Sequence, residues 1–347
     1  MLLEGLFVPL TTPFYPDGRL NLRKLEHNVD RYSRTPAAGI AVLTETGEAE
    51  LLSDSETRDA LTVALGAAAE TKVMLAGISR ASVSGTLDLA DLAAFLGYDA
   101  VLVKRPALLK EHQTREILTF FQAVADRSPL PVVLYSVGAA PLSPDVVGEL
   151  SAHPGILGLV DEDASGDRIA TIRSLTADVR REVTVTPVFT AVTGRMLAVK
   201  ESVGEANFVS ADSLGGGAAV AAAAPKPAIK TRTKTVGFQI IAANSGGILA
   251  SLRAGATAVM PGFAAAAPQA CYEVYAAWKD DDQALADEKQ AWIEPAINKA
   301  EMELGVPGLR YGCDLNGYFG GRPRLPLLPL TESQRRGIED LMSGIRN

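Results

Sequence analysis

Tyr135 closes a short apolar run, residues 131–137 (Pro-Val-Val-Leu-Tyr-Ser-Val). A phenol at the end of a buried strand can pass a proton. Lys104, followed by Arg105, ends a second run at 100–103. A lysine amine becomes a nucleophile only by losing its proton, which needs burial or a cationic neighbour. Otherwise it is a rim charge that holds an anion. Both readings stand for Lys104. Asp161, Glu162 and Asp163 follow a third run at 156–160. Oxygen ligands of this kind suit Mg²⁺ or Mn²⁺, and such an ion can stabilise an enolate. A solvated acidic loop is the commoner outcome for adjacent carboxylates. His27, His112 and His153 lie far apart, which argues against a histidine metal centre. Cys271 and Cys313 are too few for a disulfide framework or a cysteine zinc site. No resident metal and no cofactor are expected.

These groups need a scaffold. The 347 residues are 47% hydrophobic and 21% charged, a soluble globular mix with ample core material. The formal charge is −8 and no basic tract stands out, so nucleic acid and anionic membrane are not expected partners. No apolar run reaches membrane-span length, and the opening residues Met1 to Glu4 carry no secretory pattern. The expectation is a cytoplasmic protein.

Strand and helix patterns alternate along the chain with short connections, which means parallel pairing and right-handed crossovers. Eight strands are read at 5–11, 39–43, 72–76, 100–103, 132–135, 156–160, 238–242 and 257–261. Asn21 caps the first predicted helix, and Ser53 with Glu56 is spaced as a capping box before the second. Eight such units predict an α/β fold, a (β/α)8 TIM barrel over 1–267 with its site at the C-terminal ends of the strands. Residues 268–347 read as a C-terminal helical extension. Far more residues separate strands six and seven than one crossover needs, so 163–234 is read as a large insertion near the mouth. Within it, 181–189 reads as an additional strand.

At this point the chain resembles a known family. Thr11-Thr12-Pro13-Phe14 with Asp17-Gly18, the Thr46-Gly47-Glu48 turn, Leu134-Tyr135 and Gly305-Val306-Pro307-Gly308-Leu309 resemble the dihydrodipicolinate synthase / N-acetylneuraminate lyase superfamily. Residues 126–137, Lys230-Thr231-Arg232, Gly237-Phe238-Gln239 with Ser245-Gly246, and 317–321 are most similar to 4-hydroxy-2-oxoglutarate aldolases within it. The resemblance implies an aldolase-type lyase acting on a small, pyruvate-like α-keto acid, and a homo-oligomer, tetramer or dimer. A strand-six lysine would form an imine with the keto group, and Tyr135 would relay protons. The backbone at Thr46 and Gly47 would hold the substrate carboxylate, and Glu45 stands where the family has a small polar partner for the tyrosine. Lys104 is placed with the substrate-binding groups. The lysine position itself falls on Val160, or on Glu162 when read backward from Ser165. The tetrapeptide Val199-Lys200-Glu201-Ser202 resembles the missing motif. Lys200 is therefore the candidate nucleophile if 196–200 folds back as the sixth strand. A chance match on an exposed lysine is the alternative. Arg322 and Arg324 are read as holding the C-terminal segment in place.

Overall fold

The computed structural model describes residues 1–198 and 229–345. Eight parallel strands close into a barrel: β1 Gly5–Pro9, β2 Gly39–Val42, β3 Val73–Gly77, β4 Ala100–Lys104, β5 Val132–Ser136, β6 Ile156–Asp161, β9 Gln239–Ala242 and β10 Ala258–Val259. They pair in the order β1-β10-β9-β6-β5-β4-β3-β2. Two further strands, β7 Arg181–Val185 and β8 Arg232–Val236, form a separate antiparallel pair. The fold is thus the expected (β/α)8 barrel, with β9 and β10 as its seventh and eighth strands.

The crossover helices follow from their caps and apolar faces. Helix α1, Leu22–Ser33, starts where the Asn21 side chain accepts the Lys24 N–H. Helix α2, Asp54–Ala67, opens on the Ser53/Glu56 capping box. Then come α3 Val83–Leu96, α4 Thr114–Ala125, α5 Pro144–Ser151, α6 Gly166–Leu175, the short α7 Gly194–Leu197 and α8 Ile248–Arg253. Among the described residues no helix is long and apolar enough to cross a membrane.

Side chains alternate between the two sides of each strand. Leu134, Leu159 and Ile240 pack outward in the cluster shared with the helices. Phe7, Leu75, Leu102, Val133, Tyr135, Val160, Ile241 and Met260 pack together inside the barrel. Strand register sets the top of this interior, because Lys104 pairs with Tyr135 and Tyr135 pairs with Val160. The narrow lower end needs a small residue. A Cβ on Gly39 would lie 2.5 Å from both the Phe7 ring and the Val73 carbonyl oxygen.

Beyond α6, the described parts of the insertion lie at the other end of the barrel from the predicted mouth. Lys234 pairs with Glu4, just before β1, at 2.9 Å. Arg181 donates to the carbonyls of Ser151 and His153, both at 2.8 Å, ahead of β6. The Gly194 N–H donates to Asp99 Oδ1 at 3.2 Å, and Arg195 donates to the Ala68 carbonyl at 3.1 Å. All these partners precede strands. The cause is topological: α6 runs back against β6 and releases the chain at the N-terminal face, so the hairpin packs there. Residue 196 lies in α7, and the sixth strand is β6 itself, so the fold-back that would make 196–200 a barrel strand is not what the described residues show. Lys200 lies outside the described residues.

After β10, the helices α9 Pro268–Lys279, α10 Gln283–Ile297, α11 Gly305–Leu315 and α12 Glu332–Met342 pack beside the barrel, with a π-helical stretch, Asn298–Glu303, between α10 and α11. One buried ion pair fastens this group to the mouth. Arg310 on α11 is fully buried and its Nε donates to Glu48, in the turn after β2. Its other two nitrogens donate to the carbonyls of Gly320 and Thr12, the latter at 2.6 Å. Arg324 follows the same pattern, reaching the Gly18 carbonyl at 3.0 Å, the Leu51 carbonyl at 2.7 Å and the Glu56 carboxylate. Its role is the structural one expected from sequence. Both guanidinium groups approach the Phe14 ring, that of Arg310 at 5.0 Å and that of Arg324 at 4.3 Å.

Two stability changes follow. Arg310→Met leaves the Glu48 carboxylate buried without its cation, so urea unfolding should show a loss of about 3–5 kcal/mol. An effect under about 1 kcal/mol, the range of exposed pairs, would mean the pair is not buried in solution. Gly39→Ala forces a methyl against the Phe7 ring and the backbone, and the same assay should register a loss of about 1–3 kcal/mol.

Candidate active site

The turn after β2 is a single 3-10 turn, Glu45–Gly47. The Gly47 N–H donates to the Thr44 carbonyl and the Glu48 N–H to the Glu45 carbonyl, both at 3.0 Å. Glu48 closes the turn at φ +52°, in the left-handed region. Glycine is needed at 47 because a Cβ there would lie 2.8 Å from the Leu10 carbonyl oxygen. Thr46 is partly exposed and Gly47 is buried. Sequence places both in a carboxylate-binding turn. The structure puts that turn on the C-terminal face, against Tyr135.

Tyr135 is 5% exposed, and its hydroxyl accepts the backbone N–H of Glu45 at 3.3 Å. Its pKa is raised well above the ordinary value, first by burial and then by the charges of Glu162 and Glu45. The phenol is therefore held protonated, ready to donate. The expected link between Glu45 and the tyrosine is present, but it runs through the backbone rather than the carboxylate. The Glu45 carboxylate turns instead to Lys104 Nζ at 2.7 Å.

Lys104 also pairs with Glu50. Burial alone would favour its neutral amine, but the two carboxylates outweigh burial and hold the ammonium above its ordinary pKa. In this arrangement Lys104 is a charged rim residue engaged by two carboxylates. Glu45, Ser79, Arg80, Lys104 and Tyr135 line a cavity of about 50 Å³ beside the barrel axis.

At the end of β6 the interior position beside Tyr135 is Val160, fully buried. The three acids that follow go separate ways. Asp161 is fully buried and accepts Arg168 Nε at 2.6 Å, while Arg168 also donates to the Leu142 carbonyl at 2.7 Å. Glu162 accepts the Gly138 N–H at 2.8 Å, and Asp163 is exposed. Among the described residues no three His, Cys, Asp or Glu side chains come together as a metal-ligand set. His153 bonds Asp126 at 2.9 Å ahead of β6, and His27 packs edge-on to Phe319.

Among the mouth residues that sequence reasoning missed are Glu50, which pairs with Lys104, Arg168, which pairs with Asp161, and Glu301. Glu301, in the π-helical stretch Asn298–Glu303, reaches the loops that follow β9 and β10. A Cβ on Gly262 would lie 2.9 Å from its carboxyl carbon, so glycine at 262 makes room for it. The Oε2 atom is buried with no hydrogen-bond partner. Its pKa is pushed up to about 7, mainly by burial and further by the charge of Glu162, against the opposing bonds from Ser245 and the Phe263 and Gly262 N–H groups. The one sequence signal for it was its place just before the 305–309 motif. Gly308 of that motif packs so closely on Ala300 that a Cβ would collide with the Ala300 backbone.

Comparison with known proteins agrees with this architecture. Residues 2–208 match the profile of the dihydrodipicolinate synthetase family. A protein of Xanthomonas campestris pv. campestris named 4-hydroxy-tetrahydrodipicolinate synthase is 34% identical over 181 residues, 51% of this chain. The match spans 60% of that relative's length. A like-named protein of Methanothrix thermoacetophila aligns over 99% of this chain and 97% of its own at 24% identity. A solved structure of a putative dihydrodipicolinate synthetase from Pseudomonas aeruginosa matches the whole of both chains with a TM-score of 0.78 at 20% identity, a likeness of fold. With the profile covering more than half of its residues, the chain belongs to the dihydrodipicolinate synthetase family.

Proposed function

We propose that this protein is an aldolase-type lyase acting on a small α-keto acid at the C-terminal mouth of the barrel. The observation that carries the reading is the buried Tyr135 hydroxyl, held protonated and hydrogen-bonded to the Glu45 N–H of the β2 turn. A proton donor fixed to a turn whose backbone can receive a carboxylate is the minimum that α-keto acid chemistry needs. In this reading Tyr135 relays the proton, Thr46 and Gly47 hold the carboxylate, and Lys104 with Glu45 sets the charge of the rim. The family of the relatives supports a pyruvate-like α-keto acid, and the motif likeness to 4-hydroxy-2-oxoglutarate aldolases supports a 4-hydroxy-2-oxo acid as the substrate class. A cytoplasmic homo-oligomer, dimer or tetramer, belongs to the same proposal.

Two ways of holding the electrons of the broken carbon–carbon bond are open to such a lyase. One is an imine on Lys200, the amine singled out by sequence. The other uses no imine, and the burial of Val160 beside Tyr135 favours it.

Incubation with pyruvate and borohydride, followed by intact mass and peptide mapping, separates the two. An adduct on Lys200 assigns the imine route, and turnover without any adduct assigns the other. Tyr135→Phe should cut kcat for 4-hydroxy-2-oxoglutarate cleavage by about 100-fold or more, with the fold intact by circular dichroism. A folded wild-type protein that neither cleaves 4-hydroxy-2-oxo acids nor binds pyruvate would sink the proposal.

A further inference from the structure

The cavity beside Tyr135 holds a lysine that two carboxylates share. Lys104 reaches it from the end of β4, in register with Tyr135, and its side chain is only 15% exposed. A head group so far withdrawn from water has to be matched by anions. Glu45 and Glu50 do this, Glu45 Oε1 at 2.7 Å. The two are not equivalent. Glu45 is fixed by its own backbone, whose N–H donates to the Tyr135 hydroxyl at 3.3 Å. Glu50 stands on the next 3-10 turn, Ala49–Leu51, and its side chain is 69% exposed. Among the described residues its carboxylate bonds Lys104 alone. An ion pair with so exposed a member contributes little in water, because solvent and salt compete for it.

The rest of the lining is polar and held in place. Ser79, just after β3, accepts the Lys104 N–H with its Oγ at 2.9 Å, which leaves its O–H to donate. Arg80 is anchored to α2 through Asp54 at 3.0 Å and Thr57 at 3.1 Å, and to the Ser79 carbonyl at 3.0 Å. Both side chains line the same cavity as Tyr135, Glu45, Glu50 and Lys104. A ligand carboxylate that takes the place of Glu50's needs no further room and meets the same ammonium. Glu45 is also the neighbour of Thr46. The cavity therefore lies beside the turn to which the reading above gives the first carboxylate of the substrate, and a ligand that reaches both points is short.

We propose that Lys104 and Ser79 hold the second carboxylate of a short dicarboxylic α-keto acid, and that Glu50 is the protein's own carboxylate which this group displaces. This rests on the α-keto acid reading above and narrows it to substrates with an anion at each end. With its first carboxylate on the backbone at Thr46 and Gly47, the ligand runs past Tyr135 to Lys104. The exchange swaps one carboxylate for another on the same ammonium, and Glu50 takes its charge out to solvent. The cavity therefore gains no net charge when the second anion arrives. A monocarboxylic keto acid leaves Glu50 where it is. Glu50 also covers Lys104 until a second carboxylate comes, so the ammonium does not compete with the β2 turn for the first one.

The test is binding by calorimetry to the full-length protein, with pyruvate as the monocarboxylate probe and 2-oxoglutarate as the dicarboxylate probe. Neither probe needs turnover. Glu50→Gln removes the competing charge and should raise 2-oxoglutarate affinity about 3- to 10-fold, while pyruvate affinity moves by less than about 2-fold. Lys104→Met should weaken 2-oxoglutarate binding about 10-fold or more, raise KM for 4-hydroxy-2-oxoglutarate by a similar factor, and keep pyruvate affinity within about 3-fold, with the fold intact by circular dichroism. Because Glu50 lies on an exposed turn, its variant tests the site even where Lys104→Met does not fold. An equal gain for both probes in Glu50→Gln makes that carboxylate a general repulsive charge and overturns the second-carboxylate site. So does a folded Lys104→Met protein that binds both probes as the wild type does, or that loses both alike. In each of these cases the wild type still binds pyruvate, and the α-keto acid reading stands. A wild type that binds neither probe overturns that reading and the site with it.

Discussion

Arg310 has no exposed surface, yet it carries a permanent charge. Removing that charge from water costs several kcal/mol, and only complete pairing offsets it. The structure supplies that pairing from three separated stretches: the Glu48 carboxylate, the Thr12 carbonyl and the Gly320 carbonyl. Each partner lies in or beside a stretch that resembles the family, and this contact explains why those stretches occur together. The turn after β2, the end of β1, and the segment after α11 must all be in place before the guanidinium is satisfied. The backbone N–H that anchors Tyr135 belongs to that same turn, so the position of the Tyr135 hydroxyl depends on a helix that follows the barrel in the chain.

The charge pattern at the mouth follows from this frame. Lys104 sits in register with Tyr135, but Glu45 and Glu50 neutralise it. Glu45 therefore does not stand as an uncompensated charge against an incoming α-keto acid. It contributes a backbone donor to Tyr135 and a carboxylate to Lys104, two roles that a small polar residue could not fill together. Asp161 is likewise occupied, because Arg168 ties it to the loop that follows β5. Glu162 accepts the Gly138 N–H in place of a cation, and Asp163 is exposed.

Much of this was legible in the sequence. The eight barrel strands, the Asn21 cap, the Ser53–Glu56 capping box and the place of Tyr135 all rest on local signals, namely β-branched runs, cap residues and spacing. What was not legible depends on direction and distance. The length of the segment between β6 and β9 announced an insertion, but only the return path of α6 decides that its described parts pack on the N-terminal face. The side chain of Glu45 looked like the tyrosine's partner because sequence shows which residue stands at a position and not whether its backbone or its carboxylate makes the bond. Glu301 is separated from every other mouth residue by tens of positions or more, and no periodicity links it to them. Arg310 was hidden for the same reason, since it stands right after the 305–309 motif and finds its partner at Glu48.

Val160 joins these observations. In register with Tyr135 and Ile241, it packs in the apolar barrel interior with Val133 and Met260. A lysine there would bring a cation whose field would lower the pKa of every nearby carboxyl and of the phenol. A valine does the opposite: it adds low-polarity surface, and burial is the leading cause of the raised pKa values of Tyr135, Glu162 and Glu301. The apolar residue at this position is therefore one that favours protons staying on the groups around it. A lysine nucleophile, which must lose its proton, and a phenol that keeps its own make opposite demands on this one position. The valine suits the second, since burial is the leading cause of the raised Tyr135 pKa.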